Sequence, residues 1–141
     1  MSENQTRKTK WLSPLVLEDG FTVQFRGDHV YVRLGKDLRV NPEQRSVIWG
    51  LIARTCEENG SSRVLVEGEV PEGIFQPSEV IDAGLKTAAV PSLWLAFCFE
   101  NFRPDETSEL YETVAASKGG RVKFFTSTES ALEWLRNNAP A

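Results

Sequence analysis

From Phe21 onward, apolar and polar positions alternate. Phe21, Val23 and Phe25 fall on one face, Gly27-Asp28 follows, and Val30, Val32 and Leu34 then share a face opposite Tyr31 and Arg33. Two alternating runs about a glycine-containing turn predict a β-hairpin. Asn41-Pro42 then reads as a helix start, because asparagine caps free N–H groups and proline's fixed φ suits the first helical position. Val47, Ile48, Leu51, Ile52 and Cys56 follow at one-face helical spacing, and Asn59-Gly60 closes the helix. Val64, Leu65 and Val66 are an unbroken apolar run between Arg63 and Glu67, the pattern of a parallel strand covered on both faces.

The alternation of element types continues to the end of the chain. A helix is predicted over 78–89 with Val80, Ile81, Leu85 and Ala88 inward, followed by a strand over 93–99. That strand, LWLAFCF, is the most apolar of all and is expected to be central. A helix over 107–118 carries Leu110, Tyr111, Val114 and Ala115 on one side and stops at Gly119-Gly120. Arg121 to Phe125 reads as a strand, and Thr126 with Glu129 as a capping box opening a last helix with Ala131, Leu132, Trp134 and Leu135 inward. The order β-β-α-β-α-β-α-β-α predicts a single α/β domain. Its sheet is mixed, an N-terminal hairpin plus mostly parallel strands, covered by about four helices. Residues 1–12 are polar and aperiodic and read as a disordered tail ahead of a domain over 13–141, with Trp11, Leu12, Leu15, Val16 and Leu17 pinning the chain onto it.

Composition narrows the function classes. A chain of 141 residues suits one domain and buries roughly 70% of the surface its unfolded form exposes. A net charge of −4 without a clustered basic face argues against nucleic acid, since phosphate neutralisation needs one. Arg26, Arg33, Lys36 and Arg39 are spread around the hairpin and read as a solvated edge. The apolar segment over 88–99 is interrupted by Pro91 and falls short of the ~20 residues a bilayer requires. The first residues lack an apolar signal core. Cys56 and Cys98 sit far apart in apolar patterns, as buried thiols of a reducing compartment do. The cytoplasm is therefore the expected location.

The opening hairpin, the alternating α/β body and the closing stretch ASKGGRVKFFTSTESALEWL resemble the STAS-like superfamily. That superfamily occurs in sulfate transporters, anti-sigma-factor antagonists and many small stand-alone bacterial proteins. The likeness covers roughly residues 21–137, with Gly119, Gly120, Val122, Phe125, Ala131, Leu132, Trp134 and Leu135 carrying its ending. It implies regulation through protein binding, with a serine at the start of the helix after the buried strand as phosphoacceptor. Ser78 stands at about that place, within GIFQPSEVIDAG, which lacks the family's Asp-Ser pair followed by glycine.

The stretch EGEVPEGIFQPSE, over 67–79, is accordingly the expected contact surface. Glu67, Glu69, Ile74, Phe75, Ser78, Glu79 and Glu100 are its candidate partner- or ligand-binding residues. Two roles are open to Ser78: phosphoacceptor, or helix cap through its hydroxyl. Glu67, Glu69, Glu72, Glu79, Asp82 and Glu100 gather where parallel strands end, as an acidic solvated rim or an acid–base or cation pocket. His29, alone at the hairpin turn, reads as a surface histidine. Trp49, beside the apolar stripe of its helix, is a candidate interaction aromatic or a peripheral core residue. No nucleophile–base pair, metal-ligand set or cofactor motif is legible, so no catalytic residue, metal or cofactor is assigned. The leading expectation is a non-enzymatic regulatory or protein-interaction domain, with a protein partner and a homodimer both compatible. The alternative is a binder of a small apolar ligand or lipid, held among residues such as Phe97, Phe99 and Phe102. An enzyme built on the acidic cluster ranks last.

Overall fold

The computed structural model describes residues 16–18, 20–35, 42–68 and 76–140. Its strands form one sheet in the order β1 (Val16–Glu18), β2 (Phe21–Phe25), β3 (Val30–Leu34), β4 (Arg63–Gly68), β5 (Trp94–Phe99) and β6 (Arg121–Phe125). The helices are α1 (Pro42–Asn59), α2 (Pro77–Lys86), α3 (Glu106–Ser117) and α4 (Thr128–Asn138), and a 3₁₀ turn over Thr87–Ala89 follows α2. β1, β2 and β3 are antiparallel neighbours, and β3 through β6 run parallel. The mixed α/β sheet of the sequence reading is therefore present in a single domain. β1 adds a strand where the sequence suggested only an anchoring segment. The segments 1–12 and 13–15, with Trp11, Leu12 and Leu15, lie outside the described residues.

Each parallel step moves one place along the sheet in the same direction. Right-handed crossovers of that kind deliver their helices to a single face. Ile48, Trp49, Ile52 and Cys56 of α1 duly pack with Val30, Val32, Val64, Val66 and Leu95 on that face, and Tyr111 of α3 joins them. α2 packs against α1 and α3. No crossover constrains α4, which returns over the opposite face and packs Ala131 and Leu135 against Tyr31, Leu65, Ala96 and Cys98. Covered on both sides, Val64, Leu65 and Val66 are all buried, as their uninterrupted apolar pattern requires. β5 is flanked by β4 and β6 and lies one place in from the sheet edge.

Two helix faces differ from the sequence reading. In α1 the inward positions are Ile48, Trp49, Ile52 and Cys56, while Val47 is 47% exposed. Trp49 is a core residue, only 6% exposed, and an exposed aromatic contact at that position is ruled out. In α2 the inward positions are Val80 and Gly84, followed by Thr87 in the next turn, and Ile81 and Leu85 face outward. The cause is Gly84: a Cβ there would lie 2.8 Å from both Cβ and Cγ1 of Val114 on α3. The helices meet where one of them has no side chain, and the larger apolar residues one position on are turned out.

The caps are also displaced by a residue or two. α2 begins at Pro77, with the Gln76 N–H donating to Glu79 Oε1 at 2.9 Å, so Ser78 is not the cap. α4 is capped by Ser127, whose Oγ accepts from the Ser130 N–H at 3.1 Å, one residue after the expected Thr126. α3 is capped by Asp105, which accepts from the Ser108 N–H at 2.9 Å. The expected cap Asn41 lies outside the described residues.

Candidate functional site

The carboxyl ends of the parallel strands meet in one row. Arg33 of β3 pairs in register with Glu67 of β4, Glu67 with Cys98 of β5, and Cys98 with Phe125 of β6. Residues in register on parallel strands share a face, here the one that α4 covers. The first turn of α4 lies above the row, and its Thr128 hydroxyl donates to Glu67 Oε2. Tyr31 donates its hydroxyl to Glu67 Oε1 at 2.6 Å, and Arg33 Nη1 stands 3.5 Å from the same oxygen. Burial would raise the Glu67 pKa, but the hydrogen bonds from Thr128 and Tyr31 and the charge of Arg33 outweigh it and hold the carboxyl below its usual range. Arg26 stacks 3.6 Å above the Tyr31 ring, so the phenol is clamped on its face as well as at its hydroxyl.

A cavity of about 490 Å³ opens over this row, lined by Arg33, Glu67, Cys98, Glu100, Ser127 and Thr128 among others. It lies outside the strand ends, where open α/β sheets take up ligands. Cys98 contacts the Thr128 hydroxyl at 3.7 Å, and burial pushes its thiol pKa up, which suppresses the thiolate a nucleophile needs. Glu67, lowered by hydrogen bonds from Tyr31 and Thr128 and by the charge of Arg33, stays ionised at neutral pH and is a fixed acceptor, not a proton donor.

Of the residues expected at this rim, the structure brings Glu67 and Glu100 together at the cavity. Glu79 is used in the first turn of α2, and Asp82 pairs with Arg45 at 2.9 Å and with Lys86 at 3.4 Å. The single acidic pocket of the sequence reading is therefore not assembled from Glu67, Glu79, Asp82 and Glu100. Glu69, Glu72, Ile74 and Phe75 lie outside the described residues. Among the described residues, no group of three His, Cys, Asp or Glu side chains is placed to hold a metal ion.

Ser78 is exposed on α2 and stands in line with Ile81 and Leu85, at helical spacings of three and four residues. Ile81 is 39% and Leu85 43% exposed. With Val47 they are the large exposed apolar side chains among the described residues. The aromatic residues considered for an apolar ligand pack on one another: Phe97 stacks on Phe99 at 5.3 Å and on Phe124 at 4.9 Å, and Phe102 stacks on Phe124 at 4.8 Å.

At the far end of the sheet His29 is buried, 5% exposed, contrary to the surface role read from its turn. Its Nδ1 lies 2.7 Å from Asp28 Oδ1, and Arg136 of α4 donates to Asp28 Oδ2 at 2.7 Å. Burial opposes charge on Asp28, yet hydrogen bonds from Arg136 and His29 bring its pKa down to about 2. Buried Arg63 donates to the Ala139 carbonyl at 2.9 Å. These groups tie the end of α4 to the hairpin, a structural clasp that a single-turn histidine pattern could not reveal.

No helix among the described residues is long and apolar enough to cross a membrane. The chain matches no family model, no curated protein and no solved structure.

Proposed function

We propose that the chain is a non-enzymatic regulatory domain that binds a protein partner through the outer face of α2. The observation that carries this reading is the apolar stripe of Ile81 and Leu85, turned to solvent in line with Ser78. Leaving about two-fifths of each side chain exposed forfeits roughly 0.6–1.2 kcal/mol of burial apiece, which a partner's apolar side chains would restore. The resemblance to STAS-like antagonists agrees with it, because there too the helix after the buried strand meets the partner. Ser78, at the second position of α2, tolerates phosphate through the positive helix end, and its modification would set a charge beside the stripe. The free, buried Cys56 and Cys98 fit a reducing, cytoplasmic setting.

Affinity capture from the host lysate tests the proposal. The unmodified chain is expected to retain a specific protein that an Ile81→Glu, Leu85→Glu variant loses, with affinity weakened roughly 30-fold or more, as for central interface residues. Both positions are exposed, so the variant keeps its fold by circular dichroism. Equal retention by both chains, or turnover of a small substrate with no retained protein, contradicts the reading.

A further inference from the structure

The cavity over the strand ends is independent of the α2 stripe and carries its own chemistry. We propose that it binds a small zwitterion, an organic molecule bearing a carboxylate at one end and an ammonium at the other. Its size, about 490 Å³, is that of a small-ligand site. Its opposite charges stand on different strands, within electrostatic reach of each other, since the Glu100 charge acts on Arg33. Arg33 stands on the β3 side with its side chain 60% exposed, and Glu100 stands just past the end of β5. Two interstrand steps, about 10 Å, separate β3 from β5.

Glu67 lies between them and is committed to Tyr31, Thr128 and Arg33, so it forms the floor. Arg33 reaches Glu67 and the Tyr31 hydroxyl only at 3.5 Å, long for a charge-assisted hydrogen bond, and its planar fork has five donors. A ligand carboxylate taking that fork bidentately gains the shorter geometry that Glu67 does not provide. The first turn of α4, with Ser127 and Thr128 at the wall, adds partial positive charge on the same account. A simple anion would meet Glu67 and Glu100 as well as Arg33, and a simple cation would meet Arg33 and the helix end. Only a molecule carrying both signs satisfies both sides.

The test uses the full chain, labelled with ¹⁵N, and three probes of equal length: 6-aminohexanoate, hexanoate and hexylamine. The zwitterion is expected to shift the amides of Arg33, Glu67, Cys98, Glu100 and Thr128 saturably, and to bind at least about fivefold tighter than either singly charged probe. Arg33→Gln should reduce its affinity to that of hexylamine, and Glu100→Gln to that of hexanoate. Both side chains are exposed, so the variants fold, as their unchanged remaining spectrum would confirm. Absence of localised shifts at saturating probe, equal binding of hexanoate or hexylamine, or indifference to both substitutions overturns the proposal.

Discussion

Replacing Gly84 by valine is expected to lower stability by about 3 kcal/mol, a fall in Tm of roughly 10 °C for a domain of this size. On sequence grounds alone the change looks favourable, because glycine inside a helix costs about 1 kcal/mol relative to alanine. The structure reverses the sign. A Cβ at position 84 would stand 2.8 Å from the Val114 side chain, well inside contact distance, and valine adds two further methyl groups there. α2 must then lift from α3 or Val114 must leave its rotamer. The thermal midpoint measures the loss, and Val114→Ala in the same chain should recover part of it, since neighbours in contact do not contribute additively. An unchanged midpoint for Gly84→Val would mean that the two helices do not meet at this glycine.

Trp49→Ala is expected to cost about 3–5 kcal/mol, because the indole is removed from a packed core and the space does not close. Trp49 is 6% exposed and clusters with Ile48, Ile52, Cys56 and the inner residues of β3, β4 and β5. Urea denaturation gives the magnitude directly. A contact residue would behave oppositely, with stability within about 0.5 kcal/mol of the parent and a weaker partner complex.

The pattern of elements was legible because each depends on local periodicity. The hairpin follows from strict alternation between Phe21 and Leu34, and two-sided burial of β4 follows from Val64, Leu65 and Val66 in succession. What failed was the choice between adjacent stripes of one helix. Val80 with Gly84 and Ile81 with Leu85 have the same spacing, and hydrophobicity favours the second pair, whereas close approach to α3 favours the first. A glycine in mid-helix was the available signal. Likewise, Trp49 and Val47 compete for the inner face of α1, and it is the ring that joins the core cluster with the inner residues of β2 to β5.

The site was legible only at its ends. Glu67 and Glu100 could be placed at strand termini from the strand pattern, but Arg33 read as one charge on a solvated edge. Its position beside Glu67, and that of Glu67 beside Cys98, depends on register between strands about thirty residues apart in sequence. Thr128 reaches Glu67 because α4 returns over the face opposite the other helices, which no local pattern encodes. The burial of His29 has the same origin, since Arg136 and the end of α4 close over its turn.

The functional reading depends on which way α2 is turned, and thiol labelling of the native chain measures that most directly. Cysteine is placed singly at positions 80, 81 and 85, and the labelling of the parent chain through Cys56 and the cavity-lining Cys98 is subtracted. Ile81→Cys and Leu85→Cys should react readily with a maleimide in the native chain, while Val80→Cys stays protected. Protection at 81 and 85 with rapid labelling at 80 would put the apolar stripe inside the domain and remove the surface on which the partner is proposed to dock.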